Sequence, residues 1–184
     1  MKIKIAFIFI VYILGLIYLA PQAPNTPDLL PSTRSTEEGD TIQNPDQKGF
    51  YTNLTRQEAI AQMQSKYSLR LFGKTIPSFR LNYRPEEAFE MVRDQLKSSY
   101  LEEIVYPLRD SLFVNGWEPE NAPLYANTPK DKIPALFFDN IVYFSKVTIK
   151  PNHSTLFSRF FVWTLIFPAT HLVYLSLKKS LKNV

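Results

Sequence analysis

Apolar and polar positions divide the chain into three kinds of stretch. The first is Ile5–Ala20, IAFIFIVYILGLIYLA, sixteen residues without a charge. As a helix it covers roughly 24 Å, less than the roughly 30 Å hydrocarbon core of a bilayer. Lys2 and Lys4 precede it, so residues 1–20 read as a basic leader and an apolar segment. Pro21 follows Ala20 and disfavours cleavage there, so the expected element is an uncleaved signal-anchor helix. The second apolar stretch is Phe160–Leu177, FFVWTLIFPATHLVYLSL. It is apolar all round, with Trp163 and Tyr174 near its ends, which predicts a transmembrane helix over 156–177. Pro168 lies inside it and predicts a kink. A basic tail, 178–184, follows.

Residues 21–49 have the opposite pattern. Pro21, Pro24, Pro27, Pro31 and Pro45 punctuate a polar run with little to bury, which predicts a disordered linker. Residues 50–155 carry the periodic patterns of a folded domain. Thr55-Arg56-Gln57-Glu58 is a capping box, and Ala59, Ile60 and Met63 continue a helix to about Lys66. Ser68–Phe72 and Thr75–Tyr83 alternate around Gly73-Lys74 and predict a hairpin, with Pro77 marking an edge. Pro85 then opens a run in which Phe89, Val92, Leu96, Tyr100, Ile104 and Leu108 keep helical spacing. This predicts one long helix, kinked at Pro107 and capped at Asn115-Gly116. Ile133–Phe138 and Ile141–Ile149 predict a second hairpin around Asp139-Asn140. The fold class is therefore α+β: helix, hairpin, long kinked helix, hairpin, flanked by two transmembrane helices.

Charge adds an orientation. All 17 acidic residues lie between Asp28 and Asp139. Outside 21–155 the only charges are Lys2, Lys4, Arg159, Lys178, Lys179 and Lys182, all basic. The sequence pI of 9.2 thus reflects the two ends, and nucleic acid is not the expected partner. The positive-inside rule places both termini in the cytoplasm and the central domain outside it, in the cytoplasmic or plasma membrane. Arg159 is the one charge on the wrong flank.

Candidate chemistry is sparse among 184 residues with no cysteine and two histidines. Thiol nucleophiles, disulfide frameworks and cysteine metal sites are excluded. No nucleophile elbow, zinc-protease helix or phosphate loop is present, and no cofactor or metal is expected. Glu86/Glu90, Glu102/Glu103 and Asp110 supply paired carboxylates, but on one helix with basic neighbours they read as a solvated face. A hydrolase built on them is the weakest reading. His153 lies just before the second apolar stretch, where a flexible turn suits a catalytic triad poorly. Asn53 and Asn152 begin glycosylation tripeptides.

Two features stand out. Residues 59–85 contain no acid but hold Lys66, Arg70, Lys74, Arg80 and Arg84, a candidate surface for an anionic headgroup or glycan. His171 is an ionisable residue inside an apolar stretch, and with Pro168 it is a candidate intramembrane contact. The expectation is a non-catalytic binding or scaffolding subunit of a membrane assembly. Its partners are the bilayer and another membrane protein or a second copy of itself. The alternative is a sensor or binder of an anionic ligand.

Overall fold

A computed structural model describes residues 2–92 and 97–182 of the chain. Those residues form two compact units: 1–23 with 153–184, and 24–152. The fold is mixed α+β.

The first unit is a pair of helices, α1 (Lys2–Leu19) and α4 (Leu156–Lys182). Tyr12 meets Thr164 and Phe167, and Trp163 reaches back to Tyr12, so the two run antiparallel. At 1.5 Å per residue α4 is roughly 40 Å long. It is long and apolar enough to cross a membrane, whereas α1 carries a shorter apolar stretch, Ile5–Leu19. Helix α4 runs unbroken through Pro168.

The second unit is built on a six-stranded antiparallel sheet. Its strands are β1 (Thr33–Arg34), β2 (Lys48–Thr52), β5 (Phe79–Tyr83), β6 (Tyr100–Val105), β7 (Ser111–Trp117) and β10 (Ser145–Asn152). Their order across the sheet is β1-β2-β10-β7-β6-β5. Helix α2 (Arg56–Lys66) begins at Thr55 with both bonds of the expected capping box in place. It buries Ala59, Ile60 and Met63. A short α3 (Ala88–Met91) lies on the opposite side, where Ala88 and Val92 pack with Leu101 and Phe113. Strands β6 and β7 are thus buried on both faces.

The long helix expected from Pro85 is not formed. Among the described residues, a 3-10 turn (Pro85–Glu87) and the four-residue α3 follow Pro85, and residues 100–117 are the β6–β7 hairpin. The spacing misled because a separation of four residues shares one face in a strand as well as in a helix. Tyr100 and Ile104 satisfy both geometries, and a strand buried on both faces shows no clean alternation. Arg93 and Leu96 lie outside the described residues. Pro107 is the second residue of a tight turn in which Arg109 N–H donates to Tyr106 O at 2.9 Å. Leu108 follows it at φ +58°, as a type II turn requires. Gly116 is no helix cap. It faces Tyr100 across the hairpin, and a Cβ there would overlap the phenol ring.

Both expected hairpins form, but each is shorter, and the first turns one residue earlier than expected, with Lys74 already in its second strand. Strands β3 (Leu69–Leu71) and β4 (Lys74–Ile76) turn at Phe72-Gly73. Strands β8 (Leu136–Phe138) and β9 (Ile141–Tyr143) turn at Asp139-Asn140. The chain beyond each hairpin joins the main sheet as β5 and β10. The segment expected as a disordered linker is also folded: it supplies β1, buries Leu29 and Asp40, and precedes β2. Side chains hold its backbone in place. Leu30 N–H donates to Gln62 Oε1 at 2.7 Å, Gln62 donates back to Leu30 O, and Lys48 Nζ reaches Asp28 Oδ1 at 2.7 Å. A composition rule that counts only apolar burial misses such bonds.

The Leu108 position yields a test. A left-handed residue other than Gly or Asn carries about 1–2 kcal/mol of strain, and Leu108 is half-exposed, so little burial is lost on replacement. Leu108→Asn is expected to raise the unfolding midpoint of the full chain, and Leu108→Pro, whose ring forbids a positive φ, to lower it. Thermal melting followed by near-ultraviolet circular dichroism checks the pair.

Candidate functional site

The strongest electrostatic centre of the domain is Glu102, in the middle of β6 and fully buried. An isolated carboxylate there would cost several kcal/mol, so it needs cations. Two supply them. Arg56, the first residue of α2, donates Nε to Oε1 at 2.7 Å. Arg80, on neighbouring β5, donates Nη2 to Oε1 at 3.1 Å and sets Nε against Oε2. Asn82 stands opposite Glu102 in the β5–β6 register, and its Oδ1 accepts from Arg56 Nη2 at 2.8 Å. The Arg56 guanidinium also lies 5.0 Å from the centre of the Tyr100 ring. The two arginine side chains remain 37% and 45% exposed. The cluster holds two guanidinium groups with one net positive charge over a buried carboxylate.

A second centre was not foreseen. Lys146 on β10 is buried, with Nζ 2.6 Å from Glu37 Oε2 and 2.8 Å from Asp40 Oδ2. Tyr51 O–H donates to Glu37 Oε1 at 2.7 Å, and Gln47 Nε2 donates to Asp40 Oδ1 at 3.2 Å. Burial opposes the charge on Lys146, but the bonds to Asp40 and Glu37 outweigh it and hold the ammonium above its ordinary range. For Glu37, burial acts upward, yet the bonds from Lys146 and Tyr51 hold its carboxyl below the ordinary value. On the other side of β6, Glu103 accepts from Tyr83 O–H at 2.5 Å, and this bond, with burial, pushes the phenol up to about 12.

The five cations read as one basic surface do not converge. Lys66 is tied to Asp28 O at 2.8 Å and Gln62 Oε1 at 2.9 Å. Arg70 on β3 and Lys74 on β4 are exposed, and the pairing of Arg70 with Thr75 and Leu71 with Lys74 sets them on opposite faces of that hairpin. Arg80 serves Glu102. Arg84 is exposed just beyond β5, on the same side of the strand as Arg80 and Asn82. The paired carboxylates do not face each other either. Glu102 and Glu103 are strand neighbours and project from opposite faces. Glu86 and Glu90 are exposed, and Asp110 is buried beside Arg109, with Nη2 3.6 Å from Oδ2.

In the helix pair, Pro168 lines an apolar groove of ≈ 400 Å³ with Ile5, Ile8, Tyr12, Thr164 and Phe167. His171 is exposed on α4 and makes no hydrogen bond among the described residues. The polar contacts come from other residues. Trp163 Nε1 donates to Tyr12 O at 3.1 Å, above Gly15, where a Cβ would overlap the indole. Arg159 is buried. Its Nη1 donates to Pro21 O at 3.1 Å and Leu19 O at 3.4 Å, and its Nε and Nη2 donate to Ser154 Oγ and O, each at 2.8 Å. The charge on the wrong flank is the C-terminal cap of α1.

Compared with protein-family models, with curated proteins and with solved structures, the chain matches none.

Sequence reasoning missed Lys146 and Asp40 as a centre, saw Arg56 only as part of a capping box, and placed Glu102 on a solvated helix face instead of in a buried strand. One signal was available: Glu102-Glu103 interrupts the run Tyr100-Leu101…Ile104-Val105, and charges inside an apolar strand call for cations from elsewhere in the chain. Nothing local marks Lys146, whose partners are over a hundred residues away.

The Glu37–Lys146 pair predicts a pH dependence. The folded-state pKa of Glu37 lies below its ordinary value near 4.5, so its contribution is complete above that value and is lost as pH falls through the folded one. Glu37 is half-exposed, so solvent screening limits the effect to about 1 kcal/mol. Glu37→Gln is expected to destabilise the chain at neutral pH. The gap to the parent narrows as pH falls below 4.5 and closes once the folded-state carboxyl is protonated. Denaturant unfolding at a series of pH values reads both.

Proposed function

We propose that this chain is a two-span membrane protein that carries its α+β domain outside the cytoplasm. It works there as a non-catalytic binding or scaffolding subunit of a membrane assembly. The observation that carries the reading is the antiparallel α1–α4 pair. Helix α4 has the length and composition of a span, and α1 packs along it through Gly15, Trp163 and Tyr12. Arg159 grips the carbonyls of Leu19 and Pro21, one on each side of Ala20. That grip favours α1 as a retained signal-anchor rather than a cleaved leader. Both connections to the inserted domain leave from one end of the pair, as an external domain between two cytoplasmic termini requires. A binding role is supported by apolar side chains that the domain leaves in water: Phe137, Ile141 and Val142 on the β8–β9 hairpin, and Phe79 and Leu81 on β5. Clustered exposure of this kind marks interaction surfaces more than scattered apolar residues do.

One observation favours a second reading, an anionic-ligand binder. Arg56 and Arg80 are oriented by Glu102 while their side chains stay partly exposed, and Arg84 lies one step along the same side of β5. Retention on a sulfated-glycan resin separates the two readings. The second expects Arg84→Glu to elute at clearly lower salt, and the first expects no change.

The topology is tested by protease protection of the full chain in intact cells. Tags on both termini are expected to survive external protease, while a tag in the loop after Gly73 is digested. Digestion of either terminal tag from outside would overturn the orientation.

A further inference from the structure

We propose that the domain pairs with a second copy of itself along β5. The open edge of one six-stranded sheet joins the other in an antiparallel two-fold contact centred on Leu81. Strand β5 is the last in the sheet and pairs only with β6. Its outer edge makes no backbone hydrogen bond among the described residues. Natural edges are blunted by charged side chains, prolines, bulges or a covering element. Arg80 is the one charge within Phe79–Tyr83 and it is tied to Glu102, no proline lies there, and Phe79 and Leu81 stay 62% and 45% exposed on one face.

The sequence of this edge is matched to itself. Residues 77–85 read Pro-Ser-Phe-Arg-Leu-Asn-Tyr-Arg-Pro. Laid antiparallel on its copy about Leu81, the segment sets leucine against leucine and Phe79 against Tyr83. Arg80 then faces Asn82, and Arg84 faces Ser78. Aromatic and apolar pairs directly opposite each other are favourable, and no like charges are opposed. Pro77 and Pro85 meet at the two ends, where the missing N–H stops the ladder. The neighbouring registers that keep each face continuous are worse. A two-residue slip one way opposes Arg80 to Arg80, and the other way opposes Arg80 to Arg84. The Glu102 cluster supports the same seam. It draws the Arg80 guanidinium inboard over β6, away from the edge, and Arg56 holds the Asn82 amide.

A two-fold seam is isologous and closed, so it yields a dimer and not a fibre. A five-residue seam alone is smaller than a stable interface of about 1,200–2,000 Å². Confinement of both copies to one bilayer raises their effective concentration. That step rests on the two-span reading, whereas the register argument does not.

Cysteine cross-linking of the full chain, reconstituted in vesicles of neutral phospholipid, tests the pairing. The natural chain contains no cysteine, so each introduced thiol is unique. Leu81→Cys puts two thiols directly opposite, with Cα atoms about 4.5–5.5 Å apart, within disulfide range. Phe79→Cys sets the two thiols about four residues apart along the seam, roughly 13 Å. Under mild oxidation Leu81→Cys is expected to give about tenfold more covalent dimer than Phe79→Cys, because only the position-81 thiols lie within disulfide range. Leu81→Lys is expected to remove the non-covalent dimer seen by native mass measurement. Leu81 is half-exposed in the single domain, so that variant retains its fold. Equal cross-linking at positions 79 and 81, or none at 81, would overturn the pairing. Flotation of the chain with the vesicles is scored in the same experiment. A chain that fails to float refutes the two-span reading, and one that floats without the position-81 dimer refutes only the seam.

Discussion

A full carboxylate in a sheet interior must be neutralised, and at Glu102 the elements that do so set the arrangement of the domain. Arg56 comes from the start of α2 and Arg80 from β5, so one side chain ties a helix and two strands together. A cation in the first turn of a helix opposes the helix dipole. Arg56 is tolerated there because Glu102 and the Tyr100 ring lie beneath it. The cluster also pins register. Slipping β6 by one residue would turn Glu102 to the opposite face, among Ala88, Val92 and Phe113, and send Leu101 to the arginines. The apolar residues alone would oppose such a slip weakly, because both faces of β6 are buried.

This explains which parts of the fold were legible. Helix α2 was readable because its start depends on a four-residue capping box and its face on one set of 3–4 spacings. The turn at Asp139-Asn140 was readable because left-handed backbone selects Asn and Asp, and Gly73 marked the first hairpin to within one residue, although Phe72 is left-handed too. The β6–β7 hairpin was not. Its turn places Leu108 where Gly or Asn is expected, so the usual mark is missing, and Pro107 fits a helix kink as well as a turn. The apolar spacing on either side fits both periods. A local rule had no means of choosing, and the choice was made by partners distant in sequence, β5 on one side and β10 on the other.

The same distance limit governs the polar centres. Glu37, Asp40 and Lys146 are brought together by β10 lying next to β2 and by the segment before β2 folding over them. In the sequence, Glu37 and Asp40 look like the acids of a solvated tether. A buried ammonium left unpaired is strongly unfavourable, so once β10 occupies the sheet centre the acidic segment is held against it. The order of residues 24–47 is therefore a property of the whole domain, not of that segment's composition.

The helix pair follows a related logic with a different acceptor. In the two-span reading Arg159 counts against the orientation set by Lys2, Lys4, Lys178, Lys179 and Lys182 if every cation is weighed alike. It is not a free cation of that kind. It is buried and donates to four oxygens, two at the end of α1 and two at Ser154. The last carbonyls of a helix carry the negative end of its dipole and lack partners of their own, so a guanidinium there satisfies the helix and is satisfied by it. The terminal lysines then decide orientation. Arg159 fixes how the end of α1 meets α4.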